Sequence, residues 1–135
     1  MLSFRFHKEF AGREVVYRPR IAMRFLSSQT AIEAFALLDS GADRTVIPQV
    51  FAELLGLFRG AAVTTTGIGG TAEGYESQVD LELVDLSGQR EVMEDVPIYV
   101  LNGFTDVVIG RNKLFDLFRV TLEQFNLHIG LEAAG

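Results

Sequence analysis

"ALLDSGADRTVIP", residues 36–48, runs from three apolar residues into an acid, a hydroxyl, a glycine and a second acid, then returns to apolar character. The flanks Ala36–Leu38 and Val46–Ile47 suit the ends of buried strands, so Asp39 stands where a strand delivers a carboxylate to its rim. Such an acid is either a turn residue whose side chain caps the strand or a reagent held for chemistry. The remainder of the chain has to distinguish these.

Composition narrows the field. The 135 residues allow one compact domain, 1–135, and the 48% hydrophobic content with 11 Phe gives it a core. A net charge of −6 argues against nucleic acid or an anionic membrane as partner. The absence of Cys removes disulfides, thiol catalysis and cysteine metal sites, and fits a reducing compartment. The opening "MLSFRFHKEF" is charged every few residues and holds no signal-peptide core, and no apolar run approaches the about 18 residues of a spanning helix. The expectation is a soluble, cytoplasmic protein.

Period-2 alternation recurs along the chain and predicts strands with one buried face. Ile21, Met23 and Phe25 share a face, as do Val79, Leu81 and Leu83, and Phe125, Leu127, Ile129 and Leu131. "REVMEDVPIYV" is a further strand, with Pro97 marking an edge or a bulge. Ser87-Gly88 and Asn102-Gly103 mark turns. Two short helices are expected: one from Pro48 to Gly56 with Phe51, Leu54 and Leu55 on one face, and one in "RNKLFDLF". The fold class is therefore mostly β with one or two short helices.

Other chemistries find little support. His7 and His128 are the only imidazoles, no helical His pair accompanies them, and both read as solvated surface residues, so no metal site or cofactor is expected. No exposed serine elbow is present. Gly67-x-Gly69-x-x-Ala72 spells a dinucleotide fingerprint, but strand alternation follows it where a helix is required. "GIGG" at 67–70 instead reads as a hairpin tip, and its exposed Ile68 suits a mobile cover closing over a ligand.

Downstream, "VVIGRN" at 107–112 carries an apolar strand into Gly110 and Arg111. The three motifs "ALLDSGADRTVIP", "GIGG" and "VVIGRN", in that order, resemble the retroviral-type (retropepsin-like) single-lobe aspartic proteases, with "YRP" at 17–19 a looser match. The resemblance implies an all-β, closed acid-protease barrel and an aspartic endopeptidase that cuts peptides or unfolded polypeptides as a homodimer. In that reading Asp39 supplies one carboxylate and the second chain supplies its partner. Two acids so close share one proton, aspartic proteases being the reference case, and together activate a water and protonate the leaving amine. Ser40 would bond across the two-fold axis and Gly41 would admit backbone and substrate. Asp43 would contact substrate and pair with Arg111, and Arg18 would reach the other subunit's Asp43. Gly110 would leave room for the catalytic loop, beside Asn112, and Gly67, Ile68, Gly69 and Gly70 would form the flap. Ile47, Ile68 and Val108 would line apolar subsites.

Arg44 departs from the family pattern by bringing a cation to the cleft edge. D-S-G occurs once in the chain, so a complete site requires two copies. The competing expectation is a catalytically inactive dimerising or peptide-binding module of the same fold.

Overall fold

A computed structural model describes residues 1–28, 30–67 and 70–135. In chain order the strands are β1 (Leu2–Arg5), β2 (His7–Ala11), β3 (Glu14–Arg18), β4 (Arg20–Leu26), β5 (Ala31–Leu38) and β6 (Thr45–Pro48). Helix α1 (Gln49–Leu55) follows, then β7 (Ala62–Gly67), β8 (Gly70–Val84), β9 (Arg90–Leu101) and β10 (Val108–Ile109). Helix α2 (Leu114–Leu117) leads into β11 (Phe118–Glu123) and β12 (His128–Ala133).

The strand order β4-β5-β10-β6-β9-β8 closes on itself because β4 also pairs with β8, and β7 extends β8 as an outer ribbon. The ring of strands so formed is a barrel. Its interior is the core, filled by the alternate residues that the pattern marked, with Ile21, Phe25, Leu81 and Leu83 fully buried. A separate sheet, β1-β12-β11, adds Leu2, Phe4, Ile129 and Leu131 to the same core, while β2 and β3 form a two-stranded ribbon.

Pro97 marks where β9 gains a second neighbour, since β6 joins it from Ile98 onward. The bulge lies just upstream: Glu94 and Asp95 oppose the single Asp80, Asp95 has φ of 52°, and its N–H donates to Asp80 Oδ1 at 2.9 Å.

Some expectations need correction. Pro48 is the cap of α1, not its first residue, and the buried face carries Ala52 and Leu55 while Leu54 is exposed. Phe51 packs edge-on against Phe25, tying the helix to the barrel. The second helix is only four residues long. The last strand starts at His128, because Gln124–Asn126 form a 3-10 turn and Leu127 takes a left-handed conformation, leaving Phe125 exposed. His7 is not freely solvated: its ring lies 4.8 Å from that of Phe35. His128 is half-buried, and its Nδ1 lies 3.5 Å from Glu123.

Candidate active site

β10 lies between β5, to which it runs parallel, and β6, to which it runs antiparallel. The loop joining β5 to β6 must therefore cross the end of β10, and Asp39 is its first residue. Four hydrogen bonds fasten this loop and the start of β6 to the end of β10 and the residues after it. Asp39 N–H donates to Ile109 O at 3.0 Å, Arg111 N–H to Ala42 O at 2.8 Å, and Asn112 N–H to Asp43 O at 2.9 Å. Gly110 N–H donates to the hydroxyl of buried Thr45 at 3.3 Å. A methyl group on Gly110 would lie 2.4 Å from the carbonyl carbon and oxygen of Arg44, so only glycine permits the approach. The far side of the loop is held too, because Leu38 N–H donates to Pro19 O at 2.9 Å.

Within the loop, Gly41 N–H donates to Asp39 Oδ1 at 2.9 Å and orients the carboxylate. Asp39 is half-buried, while Ser40 and Gly41 are exposed. One carboxylate oxygen of Asp39 thus serves the turn, and the other stands outside that bond.

Asp43 and Arg111 are paired by a hydrogen bond from Nη2 to Oδ1, which brings together two residues 68 apart in sequence. Arg18 Nε lies 3.2 Å from Glu9 Oε1 of its own chain. Gly67 and Gly70 face each other where β7 and β8 meet, whereas Ile68 and Gly69 lie outside the described residues. Because β8 follows directly, the dinucleotide reading of these glycines has no helix to rest on.

Ile47 does not line a subsite, for it is 0% exposed inside the barrel. The outward residues of the three neighbouring strands are Leu37, Val108 and Val46, which sit opposite one another and are half-buried. They form an apolar floor next to Asp39. Arg44 sits at its border, with Nη1 3.2 Å from Glu76 Oε1 and its guanidinium 4.9 Å from the Tyr99 ring centroid.

Arg20 was missed by sequence reasoning. It grips Asp106 with two bonds, at 2.9 and 3.0 Å, and also donates to Glu9. Burial pushes the Asp106 carboxyl up, but the hydrogen bonds from Arg20 and Val107 N–H, with the Arg20 charge, hold it below its ordinary range. Glu9 is likewise held low, burial being outweighed by the Arg20 hydrogen bond and charge, while Asp106 above all holds Arg20 high. This network fixes the β2–β3 ribbon beside the segment that leads into β10. The sequence signal was slight: a second arginine after "YRP" and an acid just before "VVIG".

A cleft of about 870 Å³ lies elsewhere, and Asp39 is not on its lining. In a single chain Ser40, Gly41 and Asp43 of the Asp39 loop are exposed.

The aspartyl protease family profile matches residues 31–113, which include Asp39, the glycine hairpin and "VVIGRN". The chain belongs to the aspartyl protease family, and its fold is retropepsin-like. Among solved structures it resembles the retroviral EIAV protease complexed with the inhibitor HBY-793, at 22% identity and a TM-score of 0.51, over 81% of this chain and 93% of that one. That likeness shows the fold. It also resembles the retroviral protease-like domain of Ddi1 from Leishmania major, at 16% identity and a TM-score of 0.43, over 84% of this chain and 94% of that one. Comparison with curated protein sequences returned no match.

Proposed function

We propose that the protein is an aspartic endopeptidase, active as a homodimer in which the Asp39 carboxylates of two chains meet on the two-fold axis. The observation that carries this reading is the clamped Asp39 loop: a carboxylate oriented by Gly41 N–H, on backbone fastened to Ile109–Asn112, facing an open surface. A passive turn has no need of that many ties, whereas a reacting group must be held within a fraction of an ångström. The single D-S-G and the openness of the loop in one chain support completion by a second copy.

The chemistry follows from the paired acids. The ionised member takes a proton from a water that attacks the scissile carbonyl, and the protonated member hydrogen-bonds that carbonyl and then supplies the leaving amine. The floor of Leu37, Val46 and Val108 favours apolar side chains next to the cut, and the β7–β8 ribbon is the cover. Asp43, oriented by Arg111, receives substrate backbone N–H groups. Digestion of a mixed peptide library, read by mass spectrometry with and without pepstatin, tests the proposal. Cleavage that pepstatin abolishes is expected; no cleavage by a verified dimer would leave the idle peptide-holding module.

A further inference from the structure

The cleft of about 870 Å³ lies outside the barrel, between the β1–β2 segment and the outer faces of β4 and β5. Its apolar surface includes Ala22, Phe35 and Leu86, of which Phe35 is 56% and Leu86 63% exposed. Exposed aromatic and aliphatic groups gathered in a concavity of this size are what small-molecule sites look like.

Hydrogen-bond accounting indicates what the polar part of an occupant must be. The acids on or near the cleft, apart from exposed Glu33, are already engaged. Asp85 accepts from Ser3 N–H and Gln89 N–H, and from both N–H and hydroxyl of Ser87. Glu82 Oε1 accepts from Arg24 and Arg90 at once, and Glu9 and Asp106 are held by Arg20. The donors are not equally served. Among the described residues, the buried side-chain nitrogens without a hydrogen-bond partner are His7 Nδ1, which lies 3.5 Å from Glu9 Oε2, and Arg24 Nε, and both residues line this cleft. Glu33 Oε1 is 3.8 Å from Arg24 Nε, and Arg5, also on the lining, has no carboxylate within ion-pair distance among the described residues. A buried donor left unmade is costly, and a ligand that supplies acceptors removes that cost.

We propose that this cleft binds a small carboxylate bearing an apolar tail, with the carboxylate taken by Arg5 and Arg24 and the tail lying on Ala22, Phe35 and Leu86. Neither an alcohol nor an amine of the same tail satisfies cationic donors as a carboxylate does. The site is separate from Asp39, so it stands or falls independently of proteolysis.

The test is titration of the intact chain with decanoate, decanol and decylamine, by calorimetry and by NMR of the Ala22 and Ala34 methyl groups. Decanoate should bind with shifts confined to the cleft, and decanol and decylamine about tenfold or more weaker. Arg5→Gln, at an exposed residue, should weaken decanoate by about tenfold, and Ala22→Leu should block it by filling the cleft, with fold and peptide cleavage unchanged. A peptide acid such as acetyl-Leu-Phe, compared with its amide, distinguishes a peptide C-terminus from a fatty acid as the source of the carboxylate. Equal affinity for decanoate and decanol, no binding at millimolar concentration, or binding that ignores both substitutions would overturn the proposal.

Discussion

Asp39 and Ile109 are joined by a backbone hydrogen bond of 3.0 Å that spans 70 residues of sequence and fixes the proposed catalytic loop to the end of β10. The residue after Ile109 makes the bond possible. Any side chain on Gly110 meets the Arg44 backbone at 2.4 Å, and backbone cannot swing aside as a flexible side chain would. Gly110→Ala is expected to destabilise the fold by about 3 kcal/mol, the upper end for overpacking. Urea denaturation checks this, and a loss below about 0.5 kcal/mol, the level of a neutral surface change, would contradict the clamp.

Thr45 tests the same clamp from the side of β6. Its hydroxyl accepts from Gly110 N–H while the residue is 1% exposed. Thr45→Val keeps the shape and strands a buried donor, so a loss of about 1–3 kcal/mol is expected. A lower kcat should accompany it, as the loop loses a tie.

The Asp43–Arg111 pair separates stability from activity. The two side chains are 81% and 55% exposed, and an ion pair this wet contributes at most about 1 kcal/mol. Arg111→Gln should therefore leave the denaturation midpoint nearly unmoved. If Arg111 orients Asp43 towards substrate, KM should rise while kcat changes little. A large stability loss with unchanged kinetics would reassign the pair to structure.

The Glu9–Arg20–Asp106 network predicts a pH dependence. Both carboxyls are held below their ordinary range, so their contribution is present above the unfolded-state values near 4 and is lost as pH falls through the folded values. Arg20→Gln should cost about 1–2 kcal/mol near neutrality, a figure kept low by the solvent exposure of Asp106. The difference from wild type should shrink steadily on acidification below about pH 4. Parallel stability curves for the two proteins across that range would refute the assignment.

The sequence carried the site further than it carried the surfaces around it. The clamp that joins the Asp39 loop to Gly110 and Arg111 was legible because three motifs in fixed order leave few alternatives, and the barrel strands because buried and wet residues alternate. The identity of the cleft floor was not legible. In β6 the core takes Thr45 and Ile47 and sends Val46 outward, and hydrophobicity alone cannot choose between two apolar neighbours. The start of the last strand was misplaced because alternation ran on through a turn that no glycine marks, with Leu127 itself taking the left-handed conformation. Arg20 has no sequence pattern that pairs it with Asp106, since the contact exists only once β5 lies beside β10.

The central claim is that each active site needs Asp39 from two chains, and a mixing series tests it most directly. Asp39→Asn keeps the size of the side chain but cannot share a proton, so the pure variant should lose several orders of magnitude in kcat. Added to wild type at fixed wild-type concentration, with subunit exchange confirmed by native mass spectrometry, it should poison activity. At equal amounts only about a quarter of randomly formed dimers keep both acids, so activity per wild-type chain should fall to about half and lower with excess variant. Activity that stays flat across the series would mean that one chain holds a complete site, contradicting the two-chain account.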